Sequence, residues 1–274
     1  MMENSMTDIN EQKARAAFTK QSAIFDEIYS GNSIITYKRE RVRRHVLQFI
    51  QPGCSILELN AGTGEDATWF AKHGYTVHAT DIAEGMQKML KKKIHDQQLE
   101  SSITTELCSF TQLEHLENRG PFDFIFSNFA GLNCTPTIEK VLSSLPVLLK
   151  DNGVVTMVIM PKFCLWEALL VFKGKFKTAG RRLFSKKGAS AHIDGEYFTC
   201  WYYNPSDIIK KMPADFDLLS VEGLCTIVPP SYIEFFAERH PRLYSWLKKK
   251  EKRYKSSWPW KSIGDYYMIS LRKK

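Results

Sequence analysis

The segment from Ile56 to Asp81 constrains this chain more than any other. An apolar strand, Ser55 to Leu59, runs into a turn, Asn60 to Gly64, with glycines at 62 and 64. A helix follows from about Glu65 to Lys72 and stops at His73-Gly74, where glycine suits a C-terminal cap. A second strand, Thr76 to Thr80, ends at Asp81. Strand, tight turn, helix and strand in this order pair the two strands in parallel through a right-handed crossover. Glycines in the turn let a ligand approach the backbone at the carboxyl ends of the strands. With Ala67 at its third position the turn fits a GxGxx(G/A) pattern, and Asp81 follows where such folds meet a ribose.

The alternation continues along the chain. Helical periodicity covers Ala14 to Ile28, Thr36 to Ile50, Glu84 to His95 and Thr137 to Leu149, and strands are predicted at Ile103 to Cys108, Phe122 to Ser127 and Val154 to Met160. After Pro161 the rhythm changes. Cys164 to Phe176 is predicted as an apolar helix that runs into a basic stretch, and a glycine-containing loop leads to the aromatic segment Tyr197 to Tyr203. A short helix at Pro205 to Met212, a strand-like run from Phe216 to Val228, a mostly helical excursion from Ser231 to Tyr254 and a strand from Tyr266 to Leu271 complete the pattern.

With 43% hydrophobic and 25% charged residues, the 274-residue chain has the composition of an ordinary globular protein. Met1 to Gln12 is polar and acidic, unlike a secretory signal, and the longest apolar run is far shorter than the ~20 residues of a membrane span. A cytoplasmic protein is the expectation. Cys54, Cys108, Cys134, Cys164, Cys200 and Cys225 lie far apart, which predicts reduced thiols and no metal site.

The charges around the glycine turn separate two cofactor classes. Glu58 precedes the turn, Glu65 and Asp66 follow it, and no Lys or Arg lies between Ser55 and Phe70. Carboxylates there repel the diphosphate of a dinucleotide and suit a ligand that carries an ammonium and a sulfonium. The run Ile56-Leu57-Glu58-Leu59-Asn60-Ala61-Gly62-Thr63-Gly64 resembles the first motif of the class I S-adenosylmethionine-dependent methyltransferases. That family commonly has glycine where Asn60 stands, and Asn tolerates positive backbone angles better than most residues. Val77 to Met86, Leu148 to Val155 and Gly264 to Leu271 are similar to later parts of the family's sheet.

The resemblance implies an α/β, Rossmann-like, doubly wound, mostly parallel seven-stranded sheet with an antiparallel last strand, plus helical and aromatic cap insertions. It implies an N-terminal helical segment, 1–50, that closes over the cofactor, and an S-adenosylmethionine-binding core, 51–160. A cap or lid would occupy 161–214, and the final strands 215–274, with a helical insertion at 230–262. The cofactor-binding residues carried over are Glu58, Asn60, Ala61, Gly62, Gly64, Asp81, Ile82, Met86, Ser109, Phe110, Asn128 and Phe129. In this family alignment and water exclusion supply most of the rate, so no universal catalytic residue exists.

Methyl transfer to a small, apolar or aromatic acceptor is the leading expectation. A nicotinamide (NAD)-dependent oxidoreductase and a noncatalytic S-adenosylmethionine-binding protein are the alternatives. His192, close to Asp194 and Glu196, is the candidate base, with an exposed loop histidine as its plain alternative. Tyr29, Tyr37, Trp166, Tyr197 and Tyr202 are the candidate substrate contacts. The formal net charge is +8, and Lys173, Lys175, Lys177, Arg181, Arg182, Lys186 and Lys187 crowd one stretch after an apolar one. Phe163 to Lys187 is therefore either a lid over a pocket or a peripheral contact with an anionic membrane. No nucleic-acid partner is expected, since no RNA-binding module is recognisable and Ser127-Asn128-Phe129-Ala130 lacks the NPPY-like motif of amino methyltransferases.

Overall fold

The computed structural model describes residues 2–274, and side chains from residue 9 onward. Part of the polar stretch Met1 to Gln12 thus lies outside the described residues. In chain order the elements are α1 (Met2–Ser30), α2 (Ser33–Val46), β1 (Ser55–Leu59), α3 (Glu65–Lys72), β2 (Thr76–Asp81), α4 (Glu84–Asp96) and β3 (Ile103–Leu107). Then come β4 (Phe122–Ser127), α5 (Ile138–Leu148), β5 (Leu149–Ile159), α6 (Leu165–Ala168), α7 (Phe176–Gly180), β6 (Ala189–Ile193) and β7 (Glu196–Cys200). The chain closes with α8 (Pro205–Lys211), β8 (Phe216–Leu224), α9 (Phe236–Arg239), α10 (Pro241–Tyr254) and β9 (Tyr266–Lys273).

Seven strands form one sheet in the order β3-β2-β1-β4-β5-β9-β8. The five on the β3 side are parallel, and β9 runs antiparallel to both β5 and β8. This is the doubly wound sheet with an antiparallel last strand that the sequence predicts. Strand alternation divides the core. Leu57, Ile125, Val155 and Ile269 pack on one face with α5, whereas Ile56, Phe124, Val154 and Met268 pack on the other with α2, α3 and α4. Burial on both faces explains why β1 and β4 read as near-continuous apolar runs. Reversal of the strand order between β1 and β4 opens a crevice at their carboxyl ends.

The region after β5 differs from its predicted form. The expected helix Cys164–Phe176 is broken into α6, a 3₁₀ stretch from Leu169 to Lys173 and α7, because Gly174 turns the chain at φ +69°. The predicted glycine loop and aromatic segment form a β6–β7 hairpin, closed by Asp194 and Gly195, both at positive φ. That is the two-residue turn that matches strand twist.

The last strands are tied back to the amino-terminal helices by buried charge. Glu251 on α10 accepts the backbone N–H groups of Cys225, Thr226, Ile227 and Val228 at 2.9–3.0 Å, together with the Tyr37 hydroxyl and the Arg41 guanidinium. Replacing it leaves four amides without their acceptor and takes from the buried Arg41 guanidinium one of its two carboxylate partners. Glu251→Ala is therefore expected to lower unfolding free energy by about 3–5 kcal/mol, measured by urea denaturation with tryptophan fluorescence.

Candidate active site

The turn after β1 is built by an asparagine where a glycine would be expected. Asn60 stands at φ +49°, in the left-handed region. Its side chain offsets that strain, since Ser127 Oγ donates to Asn60 Oδ1 at 2.6 Å and Asn60 Nδ2 donates to the Asn128 carbonyl at 3.0 Å. One residue thus staples the β1 loop to the β4 loop. Gly131 is required beside it, because a Cβ there would meet the Asn60 side chain at 2.3 Å. Gly64 opens α3 at φ +77°, and a Cβ on it would meet Leu90 Cδ1 at 2.0 Å. Gly62 serves differently, as its N–H donates to Asp81 Oδ2 at 2.8 Å.

Asp81 ends β2 with its other oxygen held by the Ala83 N–H, also at 2.8 Å. Its carboxylate is thereby fixed, and lone pairs remain for further donors. It lines a small chamber of about 120 Å³ with Ile82, Met86, Ser109, Phe110, Asn128 and Phe129. Gly62, Asn60 and Phe129 also line a second chamber of about 320 Å³, so the two are adjoining compartments of one cleft. The larger compartment is walled by Glu58, Lys38, Arg39, Cys134, Met160 and Tyr266, and roofed by Ala191, Ile193, Phe198 and Cys200 of the hairpin.

The electrostatics of the turn depart from the local sequence count. Arg39 and Arg43 of α2 both reach Asp66, at 3.1 and 2.9 Å, and Lys93 reaches Glu65 at 3.4 Å. Two of the three carboxylates around the glycines are therefore already neutralised. Glu58 is the exception. It is buried with Oε2 lacking any hydrogen-bond partner. Burial first, and then the neighbouring Asp66, push its carboxyl well above the ordinary range, against the pull of Arg39 and Arg43. A buried carboxylate with an empty oxygen and a fixed Asp81 beyond it fit a ligand with a cationic end and a vicinal diol. S-adenosylmethionine, with its ammonium, sulfonium and ribose, meets that requirement.

Eleven of the twelve residues carried over for the cofactor line this cleft; Gly64 shapes the turn from outside it. Of the candidate substrate contacts, Tyr29 reaches the larger compartment. Tyr37 instead donates to Glu251, and Tyr202 packs under Arg182 at 5.3 Å. Trp166 sits on α6 and is not among the residues lining the cleft. His192 and Tyr197 pair across the outer face of the hairpin with rings 4.4 Å apart. Alternation turns Ala191 and Ile193 toward the cleft and His192 to solvent, so the candidate base is not brought to the site.

Sequence reasoning expects the segment 1–50 at the cofactor but singles out only Tyr29 and Tyr37 within it, and it missed the other α1 residues that line the cleft. Glu11, Ala14, Phe18 and Phe25 share one helix face and all line the cleft. Glu11 accepts hydroxyl hydrogens from Ser109 and Thr111 at 2.8 and 2.5 Å, and Asp26 accepts one from Thr63 at 2.6 Å. The seven-residue spacing of Glu11, Phe18 and Phe25 was the available signal. Among the described residues Cys164, Glu167 and Asp265 have ligand-type atoms within 4.8 Å of one another. The cation there is Arg182, whose Nη2 lies 2.7 Å from Glu167 and 2.9 Å from Asp265.

Comparison with known proteins agrees with this geometry. Residues 56–153 match the Methyltransferase domain family. A demethylmenaquinone methyltransferase of Listeria welshimeri is 28% identical over 154 residues, an overlap of 54% of this chain and 62% of that protein. The match thus spans less than two thirds of the curated relative. The magnesium protoporphyrin IX methyltransferase of Synechocystis PCC 6803, solved with S-adenosylhomocysteine, superposes with TM-score 0.60 at 15% identity, over 97% of this chain and 100% of that one. A 1,6-didemethyltoxoflavin-N1-methyltransferase of Burkholderia thailandensis superposes with TM-score 0.58 at 13% identity, over 98% and 90%. At such identities the likeness is one of fold.

The Asn60 staple is open to direct test. Asn60→Ala and Asn60→Gly both remove its hydrogen bonds, but only alanine is strained at positive φ. Asn60→Ala is expected to be less stable than Asn60→Gly by about 1 kcal/mol, read from paired urea melts.

Proposed function

We propose that this chain, a member of the class I S-adenosylmethionine-dependent methyltransferase family, binds S-adenosylmethionine in the cleft and transfers its methyl group to a small apolar or aromatic acceptor. The observation that carries the proposal is the unpartnered, buried Glu58 oxygen in a cleft whose far end holds the fixed Asp81 carboxylate. Asp81 accepts the ribose hydroxyls. Ile82, Met86 and Phe110 flank the adenine, and Glu58 holds the ammonium. When bound, the cofactor supplies a methyl already activated on sulfur.

The remaining work is alignment and exclusion of water. Phe18, Phe25 and Tyr29 from α1 and Ile193 and Phe198 from the hairpin roof the larger compartment with apolar surface. That lining selects an acceptor with an apolar or aromatic body. No histidine lines either compartment among the described residues, so the acceptor enters with its nucleophilic atom ready or loses its proton to a group other than imidazole.

The test is incubation with methyl-labelled S-adenosylmethionine and a lipid-plus-metabolite extract, with label expected in an organic-soluble product. Lack of any labelled product, with S-adenosylhomocysteine still bound, would favour the noncatalytic alternative. Tight binding of NADH in place of S-adenosylhomocysteine would overturn the cofactor assignment. Asp81→Ala is expected to weaken S-adenosylhomocysteine about ten- to a hundredfold in calorimetric titration, for lost bonds to a charged acceptor.

Glu58 gives a pH dependence of definite sign. Its carboxyl is raised in the folded protein, so the folded state holds a proton that the unfolded chain has already released. Stability from this group therefore falls as pH rises above the ordinary carboxyl range, and an ammonium beside it draws the proton off. Cofactor binding should strengthen over the same rise in pH and release a proton, seen as a buffer-dependent heat in calorimetry. Glu58→Gln should abolish that proton release while leaving the unbound protein at least as stable.

A further inference from the structure

We infer that the segment from Leu169 to Lys187 is a docking surface for an anionic lipid bilayer. No acidic residue occurs between Glu167 and Asp194, while seven cations do: Lys173, Lys175, Lys177, Arg181, Arg182, Lys186 and Lys187. The two arginines are engaged by Glu167, and Arg182 also by Asp265. Among the described residues the five lysines form no ion pair.

Between these lysines the chain exposes large apolar side chains. Phe172 and Phe184 are each 87% exposed, Phe176 67% and Leu183 51%. Every residue from Val171 to Lys177 is exposed. Aromatic tips are thus interspersed with lysines that form no ion pair. They match the interface of an acidic bilayer, where rings enter the headgroup boundary and lysines face anionic lipid.

The position of the segment gives the surface a use. Arg182 holds Asp265 Oδ1, and Asp265 Oδ2 holds Lys38 at 2.7 Å, a residue that lines the larger compartment. The exposed tips are thus joined by a buried charge chain to the wall of the acceptor chamber. A bilayer-bound protein would meet acceptors that partition into lipid, a consequence that rests on the proposed methyl transfer. Docking itself does not.

Flotation with vesicles tests docking without turnover. The full chain is floated at low salt with phosphatidylcholine vesicles and with vesicles in which about a third of the lipid is phosphatidylglycerol, with S-adenosylhomocysteine affinity titrated in parallel. Co-flotation is expected on the anionic vesicles only, and it should be lost on raising the salt. Each lysine near the surface contributes roughly fivefold to partition. Lys173→Glu with Lys175→Glu should therefore reduce binding more than tenfold, and Phe172→Ser with Phe184→Ser should do so without any change in charge. All four positions are exposed, so melting temperature and S-adenosylhomocysteine affinity should stay unchanged. Lys249→Glu with Lys252→Glu on α10 makes the same charge change elsewhere and should reduce binding much less. Absence of anionic flotation by the unmodified chain, or equal loss from the α10 pair, would overturn the inference. A chain that floats yet yields no methylated product would sink the methyl-transfer reading alone.

Discussion

Four cations on α2 neutralise carboxylates from four separate parts of the chain, and the rest of the structure is arranged around them. Lys38 meets Asp265 just before β9, Arg39 and Arg43 meet Asp66 on α3, and Arg41 lies between Glu222 of β8 and Glu251 of α10. Lys38 and Arg41 are nearly inaccessible to water. Removing such charges from water costs several kcal/mol each, which only close pairing and hydrogen bonding offset. The helix is therefore stable in place only when the sheet edge, α3 and α10 have all docked on it.

The same helix decides the chemistry of the cleft. By holding Asp66, it leaves Glu58 as the carboxylate without a partner, and so sets where a cationic ligand end is wanted. Asn60 and Asn128 work at shorter range. Asn60 joins the β1 and β4 loops, while Asn128 Nδ2 donates to Asp66 at 2.7 Å. The two loops that border the cleft are thus positioned by hydrogen bonds that also satisfy the charge pair beneath them. A roof of α1 and the hairpin then closes over a floor whose polar groups are largely fixed.

Much of the architecture was legible because its signals are local. The apolar runs of β1 and β4, the glycine turn and the terminal Asp81 each follow from residues within a few positions of one another. The misses have equally physical causes. Apolar content made Cys164–Phe176 look like one helix, but a left-handed glycine at 174 outweighed it. Asp194-Gly195 is a strong hairpin signal, and recognising it would have placed His192 on the outer face. Three carboxylates along one stretch of sequence predict repulsion of a diphosphate, whereas Arg39 and Arg43 of α2, which lie outside that stretch, pair with Asp66.

The sequence by itself determined the order of strands and helices through β5, the glycine turn and the acidic residue that ends β2, because backbone geometry and hydrophobic period are written in adjacent residues. Only the tertiary structure decided which carboxylate remains unpaired, which tyrosine reaches the cleft and which helix roofs it. Those outcomes depend on contacts between residues far apart in the chain, such as Arg43 with Asp66 or Glu11 with Ser109. The turn from Ile56 to Asp81 specifies a nucleotide-type crevice; its charge, and hence the kind of ligand it prefers, is set by what folds against it.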